Sequence, residues 1–245
     1  MKILDMGSTG PQVGIVACLH GNETTGIKVL TELKSLAPEG LRLRLIVAHE
    51  TAVAQNTRFI TQDLNRCFPG DRAGNKEQQL AAMLLEQLQD CAYVIDLHTT
   101  TARTKAFSIM TLDTPAHRWL AQSYPLPIHT IIGDTVASGK AMIDHVTCGI
   151  SVEYENTSPA GIITHDVLST LAAIRSGRCA SVRHHTWFEV YGVMEKHVAQ
   201  QHAVSLENFA PVTIAGERFY PVLAGEAAYR FACMKARKTE DATLF

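Results

Sequence analysis

Short apolar runs alternate with helical patterns through the first three quarters of this chain, and this alternation constrains its fold more than any other feature. Residues 13–18 are apolar, and after a polar turn the apolar residues recur at helical spacing up to Leu36. The pattern predicts further strands at 41–47, 93–97, 107–112 and 149–154, and helices at 77–90, 115–123 and 162–176. Such alternation is typical of an α/β fold with a doubly wound, mostly parallel or mixed sheet flanked by helices.

The pattern changes after about residue 183. Short apolar pieces at 187–194 and 211–229 are separated by Gly and Pro, and no long helical pattern follows. We therefore predict two units, an α/β domain at residues 1–184 and a small β-rich C-terminal subdomain at residues 185–245.

Composition restricts the partners of the chain. With 46% hydrophobic residues and a formal charge of −2 over 245 residues, the chain can bury a core and has no basic block for nucleic acid or an anionic membrane. No apolar run approaches the ~20 residues of a membrane-spanning helix, and the first five residues do not resemble a secretory signal. The six cysteines are scattered without a CxxC motif, so we expect reduced thiols and a cytoplasmic location.

Three candidate metal ligands follow predicted strands. His20 and Glu23 lie in the turn after the first buried strand, and His98 follows the strand at 93–97. Ligands in such sheets bind beyond the carboxyl ends of the strands, and two His with one Glu is a common catalytic zinc set. Asp96 would accept the far N–H of the His98 ring. Alone, His20 and Glu23 would more simply be a polar surface turn; together with His98 they favour a metal site.

A carboxylate and two arginines complete the candidate chemistry. Glu153 ends the strand at 149–154 and could move a proton for metal-assisted hydrolysis, with Glu155 as its rival. The alternative for either glutamate is a solvated or salt-bridged loop residue. Arg58 and Arg66 could stabilise an oxyanion or bind a carboxylate, and Asn65 could add a donor, although an isolated arginine is usually a surface residue.

Five sequence blocks, in this order, resemble the aspartoacylase/succinylglutamate desuccinylase family of zinc-carboxypeptidase-like hydrolases, and the resemblance is closest to the aspartoacylases. The blocks are His-Gly-Asn-Glu at 20–23, Asn-Thr-Arg-Phe-Ile-Thr-Gln-Asp-Leu-Asn-Arg-Cys-Phe at 56–68, Asp-Leu-His at 96–98, Gly-Ile-Ser-Val-Glu at 149–153 and Glu-Ala-Ala-Tyr at 226–229. The resemblance implies a zinc-carboxypeptidase-like fold.

The resemblance also implies a role for each matching residue. Zn²⁺ would be bound by His20, Glu23 and His98. Glu153 would act first as general base and then as acid, and Arg58 would polarise the scissile carbonyl. The substrate would be bound by Asn65, Arg66 and Tyr229, of which Tyr229 would otherwise be interpreted as a core residue of the C-terminal subdomain.

The implied activity is zinc-dependent hydrolysis of the amide of a small N-acyl amino acid such as N-acetylaspartate. The alternatives are a desuccinylase-like or carboxypeptidase-like hydrolase acting on another N-acyl amino acid or a short peptide, and a binding protein without activity. Family likeness also suggests a homodimer.

Two departures from the aspartoacylase pattern affect the expected substrate. Aspartoacylases carry an arginine shortly before the catalytic glutamate that binds the aspartate side chain, whereas no Arg occurs here between Arg118 and Arg175. Only Lys140, His129 and His145 offer positive charge in that region, and lysine does not replace a bidentate arginine. A neutral or different substrate side chain is therefore a further expectation. The C-terminal region is also shorter than expected for the family, which predicts a wider entrance.

Overall fold

A computed structural model describes residues 1–36, 39–133, 136, 138–179 and 184–239. The strands are β1 (Lys2–Met6), β2 (Gln12–Ala17), β3 (Arg42–Val47), β4 (Tyr93–Thr100), β5 (Phe107–Met110), β6 (Ile128–Ile132), β7 (Gly149–Glu155), β8 (Thr186–Glu195), β9 (Val212–Ile214), β10 (Glu217–Val222) and β11 (Phe231–Thr239). The helices are α1 (Thr25–Leu36), α2 (Glu50–Gln55), α3 (Lys76–Leu88), α4 (Pro115–Ser123), α5 (Ala160–Ser176) and α6 (Lys196–Gln201), with 3₁₀ turns at Leu64–Arg66 and Met142–Asp144.

All of these strands belong to one mixed sheet in the order β1-β3-β2-β4-β7-β5-β6-β8-β11-β10-β9. The run β3-β2-β4-β7 is parallel, β5 is antiparallel to β7, and β8 is parallel to β6. Residues of α1, α4 and α5 share one hydrophobic cluster with the sheet, while residues of α3 belong to a second cluster. The predicted doubly wound mixed α/β fold is confirmed.

The central strands are buried on both faces, which explains their continuous apolar sequence. Every residue of β2 is buried; Val13 and Ile15 belong to one cluster and Val16 to the other. Burying a side chain of this size contributes ~1.5–3 kcal/mol. This packing fixes the strand ends at which the candidate ligands lie.

One predicted boundary is wrong in a way that affects the site. The apolar run stops at Leu97, but β4 continues to Thr100 because His98 and Thr99 still pair with β7. His98 therefore lies inside a strand and not in the loop after it, which gives its side chain a fixed direction.

The C-terminal part is rich in strands, and it continues the main sheet. β8 pairs with β6, and β11, β10 and β9 follow it in antiparallel order. Ile128 and Ile132 of β6 share a hydrophobic cluster with Met234 of β11. Strands on either side of the predicted boundary between residues 184 and 185 are hydrogen-bonded to each other. The division of the chain into two units there remains a prediction. Among the described residues, no helix combines the length and apolar character needed to cross a membrane.

Candidate active site

The turn after β2 places His20 and Glu23 side by side. Cys18 has a positive φ of 59°, which turns the chain away from the sheet. Gly21 lies so close to α2 that a Cβ atom there would be 2.1 Å from the carbonyl carbon of Ala52. The Gly21 amide also donates to the carbonyl of Arg58 at 3.1 Å. The turn is therefore held by backbone contacts that leave no room for a larger residue.

His98 completes a buried cluster with these two residues. His20 Nδ1 lies 2.7 Å from Glu23 Oε1, and His98 Nδ1 lies 3.0 Å from Glu23 Oε2. Ligand atoms from the three residues all lie within 4.8 Å of one another. Donors bound at ~2.0–2.1 Å in a tetrahedral zinc site lie about 3.4 Å apart. The donor set therefore fits a divalent cation in both chemistry and spacing.

The Nε2 atom of each imidazole lies within hydrogen-bond distance of a carboxylate. Asp63 Oδ1 lies 3.1 Å from His20 Nε2, and Asp96 Oδ2 lies 2.6 Å from His98 Nε2. The Ser151 hydroxyl donates to the same Asp96 oxygen at 3.0 Å. Such partners set the tautomer and direction of ligand histidines, so both Nδ1 atoms face Glu23. The sequence predicts the Asp96 contact but not the Asp63 contact, because Asp63 is 43 residues away from His20.

The electrostatics of this cluster favour positive charge at its centre. Burial lowers the pKa of His20 and of His98, but the adjacent carboxylates outweigh burial and raise both pKa values. Burial raises the pKa of Glu23, but the two imidazoles reverse this and hold it well below its usual range. Protons or a divalent cation can supply the positive charge that these carboxylates favour.

Glu153 lies on the strand next to His98. The register of β4 and β7 pairs His98 with Glu153, so the two residues are neighbours across the sheet. Burial, with a smaller contribution from the charge of Glu23, raises the pKa of Glu153 to about 8 despite the opposing effect of His98. Its Oε2 atom is buried and has no hydrogen-bond partner among the described residues. The rival, Glu155, accepts the Thr104 amide at 2.8 Å and does not line the cavity.

Arg58 reaches the same centre from the segment after α2. Its Nε and Nη2 atoms donate to Asp63 Oδ2 at 3.1 and 3.0 Å, and its Nη1 atom lies 3.5 Å from Glu23 Oε1. Burial lowers the pKa of Arg58, but the charges of Asp63 and Glu23 outweigh it and raise the pKa. Asp63 thus positions both His20 and Arg58 through its two oxygens.

Asn65 and Arg66 lie on the adjacent 3₁₀ turn. Asp63 caps this turn by accepting the Asn65 amide at 2.9 Å. The side-chain oxygen of Asn65 accepts the amide of Met142 at 2.9 Å, which leaves its amide NH₂ group for a ligand. Arg66 donates to the Asn65 carbonyl at 2.7 Å and forms no salt bridge within the part of the chain that the structure describes.

Tyr229 enters the site from the loop before β11. Its ring packs on Phe231 with the centroids 4.6 Å apart. Glu226, in the same loop, accepts hydrogen bonds from the Thr100 hydroxyl at 2.5 Å and from the Thr101 amide and hydroxyl at 2.8 and 2.9 Å. Glu226 therefore attaches the loop to the end of β4. Its block was part of the resemblance, but this role was not predicted.

The structure brings every predicted site residue to one cavity. Its lining includes the predicted ligands, the glutamate, both arginines, the amide and the tyrosine: His20, Glu23, His98, Glu153, Arg58, Arg66, Asn65 and Tyr229. A His–Glu–His donor set beside a buried glutamate, at the carboxyl ends of parallel strands, is typical of metal-dependent hydrolases.

Comparison with known proteins assigns the chain to a family. The sequence model of the succinylglutamate desuccinylase/aspartoacylase catalytic domain matches residues 9–153, and the chain belongs to this family. It is 30% identical to a probable aspartoacylase of Parasynechococcus marenigrum (strain WH8102) over an alignment of 191 positions, and the match covers 66% of this chain and 62% of that protein. It is 28% identical to a succinylglutamate desuccinylase of Yersinia enterocolitica over an alignment of 156 positions, and the match covers 54% of this chain and 47% of that protein. The matches thus span less than two thirds of these relatives.

Solved structures show the same fold at low sequence identity. Murine aminoacylase 3 superposes with a TM-score of 0.75 at 17% identity, covering 96% of this chain and 97% of that chain. A succinylglutamate desuccinylase from Silicibacter sp. TM1040 superposes with a TM-score of 0.72 at 14% identity, covering 97% and 88%. The fold therefore extends beyond the matched residues 9–153 to β10 and β11, whose connecting loop carries Tyr229.

Proposed function

We propose that this protein is a zinc-dependent amidohydrolase that cleaves a small N-acyl amino acid into a carboxylate and a free amino acid. The observation that carries the proposal is the convergence in one cavity of a His–Glu–His donor set with Glu153 and Arg66. Among the described residues, Glu153 Oε2 is buried without a hydrogen-bond partner and Arg66 forms no salt bridge. Membership of a family whose relatives include probable aspartoacylases and a succinylglutamate desuccinylase supports the reaction class.

His20, Glu23 and His98 would hold the metal. Two imidazoles and one carboxylate suit zinc, and the cavity leaves space for a further ligand beside them. A zinc ion held there supplies Lewis acidity toward the scissile carbonyl and lowers the pKa of a water molecule.

Glu153 would move the proton. It lies beside His98 on the neighbouring strand, and its Oε2 atom is free to accept a hydrogen bond from water. Burial raises the pKa of Glu153, but a cation held by the adjacent donors would lower that pKa again and favour the ionised carboxylate. The ionised group would take the proton from the water that attacks the acyl carbon and then deliver it to the leaving amine nitrogen. Two other carboxylates line the cavity among the described residues, and both are engaged elsewhere: Glu23 contacts both histidines, and Glu226 is held by Thr100 and Thr101.

The remaining residues would bind the substrate. Arg58, held by Asp63, stabilises the negative charge on the former carbonyl oxygen, and loss of one such donor costs about 10²–10³ in turnover. Arg66 and the amide of Asn65 bind the carboxylate of the amino acid. Tyr229 closes the cavity and donates a hydrogen bond to the substrate.

The experiment is a substrate panel on zinc-loaded protein, with N-acetylaspartate, other N-acetyl amino acids, N-succinylglutamate and a blocked dipeptide. We expect chelator-sensitive hydrolysis of at least one N-acyl amino acid, and about 10³-fold or greater loss in Glu153→Gln with zinc retained. Cleavage of the dipeptide alone would instead indicate a carboxypeptidase. Chelator-insensitive hydrolysis, or none, would refute the proposal. A cytoplasmic location and a homodimer belong to the same proposal and are tested by fractionation and light scattering.

A further inference from the structure

The cavity has an apolar wall beyond its polar centre. Because the sheet order runs from β4 through β7 to β5 and β6, the cavity passes from the metal donors over Glu153 toward these strands. Ile109 of β5, Ile132 of β6, Leu223 after β10 and Met234 of β11 line it there. These four residues, which we call the apolar wall, belong to or pack against one hydrophobic cluster. The wall is therefore continuous with the packed core.

The cationic side chains that line the cavity can neutralise one substrate carboxylate. Among the described residues, Arg58 and Arg66 are its cationic side chains apart from the histidine ligands. Arg58 is already paired with Asp63 and Glu23, whereas Arg66 has no carboxylate partner in the described ranges. A second substrate carboxylate would have to lie against the apolar wall or near the glutamates, without a cation to neutralise it.

The other positive groups of that region do not compensate. Lys140, His129 and His145 are all absent from the cavity lining. His129 lies on the opposite face of the sheet, where its Nδ1 atom is 2.7 Å from the Ser108 hydroxyl. His145 Nε2 lies 2.9 Å from the carbonyl oxygen of Gly139.

One uncharged polar group lies beside the wall. Thr111 follows β5 and lines the cavity, and its hydroxyl oxygen is buried without a hydrogen-bond partner in the described part of the chain. A hydroxyl can pair with a carbonyl or another hydroxyl, but it cannot neutralise a carboxylate. The wall therefore tolerates a neutral polar atom and disfavours a charge.

We propose that the apolar wall is the specificity subsite, and that it accepts an uncharged, mainly apolar group in a substrate with a single carboxylate. This inference rests on the proposed function. The group that occupies the wall is either the side chain of the amino acid or a long acyl chain. Burial of an apolar group there is favourable, whereas burial of an unpaired carboxylate carries a large desolvation cost.

The test compares kcat/KM of the zinc-loaded enzyme for five probes. N-acetyl-L-leucine and N-acetyl-L-phenylalanine offer an apolar side chain, N-hexanoylglycine offers an apolar acyl chain, and N-acetyl-L-aspartate and N-succinyl-L-glutamate carry further carboxylates. We expect kcat/KM for at least one apolar probe to exceed kcat/KM for both N-acetyl-L-aspartate and N-succinyl-L-glutamate by about 10²-fold or more. A preference for N-acetyl-L-leucine or N-acetyl-L-phenylalanine would place the amino-acid side chain on the wall. A preference for N-hexanoylglycine would place the acyl chain there.

A variant pair tests the wall itself. Ile109 is half-buried, so Ile109→Lys can place a cation at the wall, and Ile109→Leu is the control of equal volume. Relative to the control, Ile109→Lys should raise the kcat/KM ratio of N-acetylaspartate to N-acetylleucine at least about 10-fold. Circular dichroism and thermal melting test whether both variants fold. The comparison of the five probes on the wild-type enzyme does not depend on either variant.

Two outcomes separate this inference from the proposed function. If N-acetylaspartate or N-succinylglutamate is hydrolysed as well as the apolar probes, the subsite is refuted while the amidohydrolase stands. If no probe is hydrolysed, the proposed function fails, and calorimetric binding of the same probes to zinc-loaded Glu153→Gln decides the subsite. Binding of the apolar probes no tighter than that of N-acetylaspartate would then overturn it.

Discussion

Glu226 joins the loop that carries Tyr229 to the end of β4, and its removal should lower activity without loss of the metal. The carboxylate accepts hydrogen bonds from the Thr100 hydroxyl, the Thr101 amide and hydroxyl, and the Ala228 amide. Burial raises the pKa of Glu226, but these hydrogen bonds lower it below the ordinary value, so the group is ionised at neutral pH. The Glu226 carboxylate therefore accepts these hydrogen bonds as a charged group at the pH at which the enzyme would work.

The size of the effect follows from these four bonds. A hydrogen bond to a charged group contributes ~1.5–3 kcal/mol, and Thr101 is exposed and can be solvated again. We therefore expect Glu226→Ala to destabilise the folded protein by about 2–4 kcal/mol. Glu226→Gln keeps the shape but turns an NH₂ group toward one of the four donors, and should cost about 1–2 kcal/mol.

The assay is a double-mutant cycle on kcat/KM with Glu226→Gln and Tyr229→Phe, alongside zinc content and urea unfolding. If Glu226 acts by placing Tyr229, the two effects are strongly non-additive, and zinc content stays unchanged. Glu189→Gln on β8 is the matched control, because Glu189 is exposed and has no side-chain partner among the described residues. Full additivity in the cycle would refute the positioning role.

Three further predictions concern stability and metal affinity. Asp63→Asn removes the charge behind a metal-binding imidazole, and competition with a chelator should show about 10–100-fold weaker zinc binding. Gly21→Ala forces a Cβ atom to 2.1 Å from a backbone carbon and should cost at least about 2 kcal/mol in urea unfolding, whereas Gly161→Ala, with nothing near the added Cβ, should be neutral or stabilising. Burial lowers the pKa of His129 to about 3, so the unfolded chain binds a proton at this group first as the pH falls below ~6.5. This group alone should lower the free energy of unfolding by about 3 kcal/mol between pH 7 and pH 4. His129→Gln should reduce that difference, and an unchanged pH dependence would contradict the assignment.

The metal donors could be located from the sequence because the carboxyl ends of neighbouring parallel strands meet. His20 follows one buried apolar run, His98 and Glu153 lie at the ends of two others, and β2, β4 and β7 are adjacent in the sheet. The strand ends themselves were less predictable. Polar residues that line a site break the apolar pattern, so the pattern ends the strand before His98, although His98 of β4 still pairs with Glu153 of β7.

Other parts of the site depend on contacts that leave no local signal. Asp63 is far along the chain from His20, and only the fold brings them together. Tyr229 was identified by resemblance alone, because an aromatic residue in a β-rich segment is usually part of the core. The edge strand β1 was not predicted, since its residues are mostly exposed and give no burial pattern.

X-ray absorption at the zinc edge of the loaded protein tests the metal site most directly. The proposed function predicts a zinc ion held by His20, Glu23 and His98, with two imidazole nitrogens and a carboxylate oxygen at ~2.0–2.2 Å, and loss of this signal in His98→Ala. The chain also has free cysteines, among them the exposed Cys179, which could bind zinc adventitiously. A zinc shell made of sulfur at ~2.3 Å in place of these nitrogen and oxygen ligands, together with an unchanged spectrum in His98→Ala, would contradict the assignment.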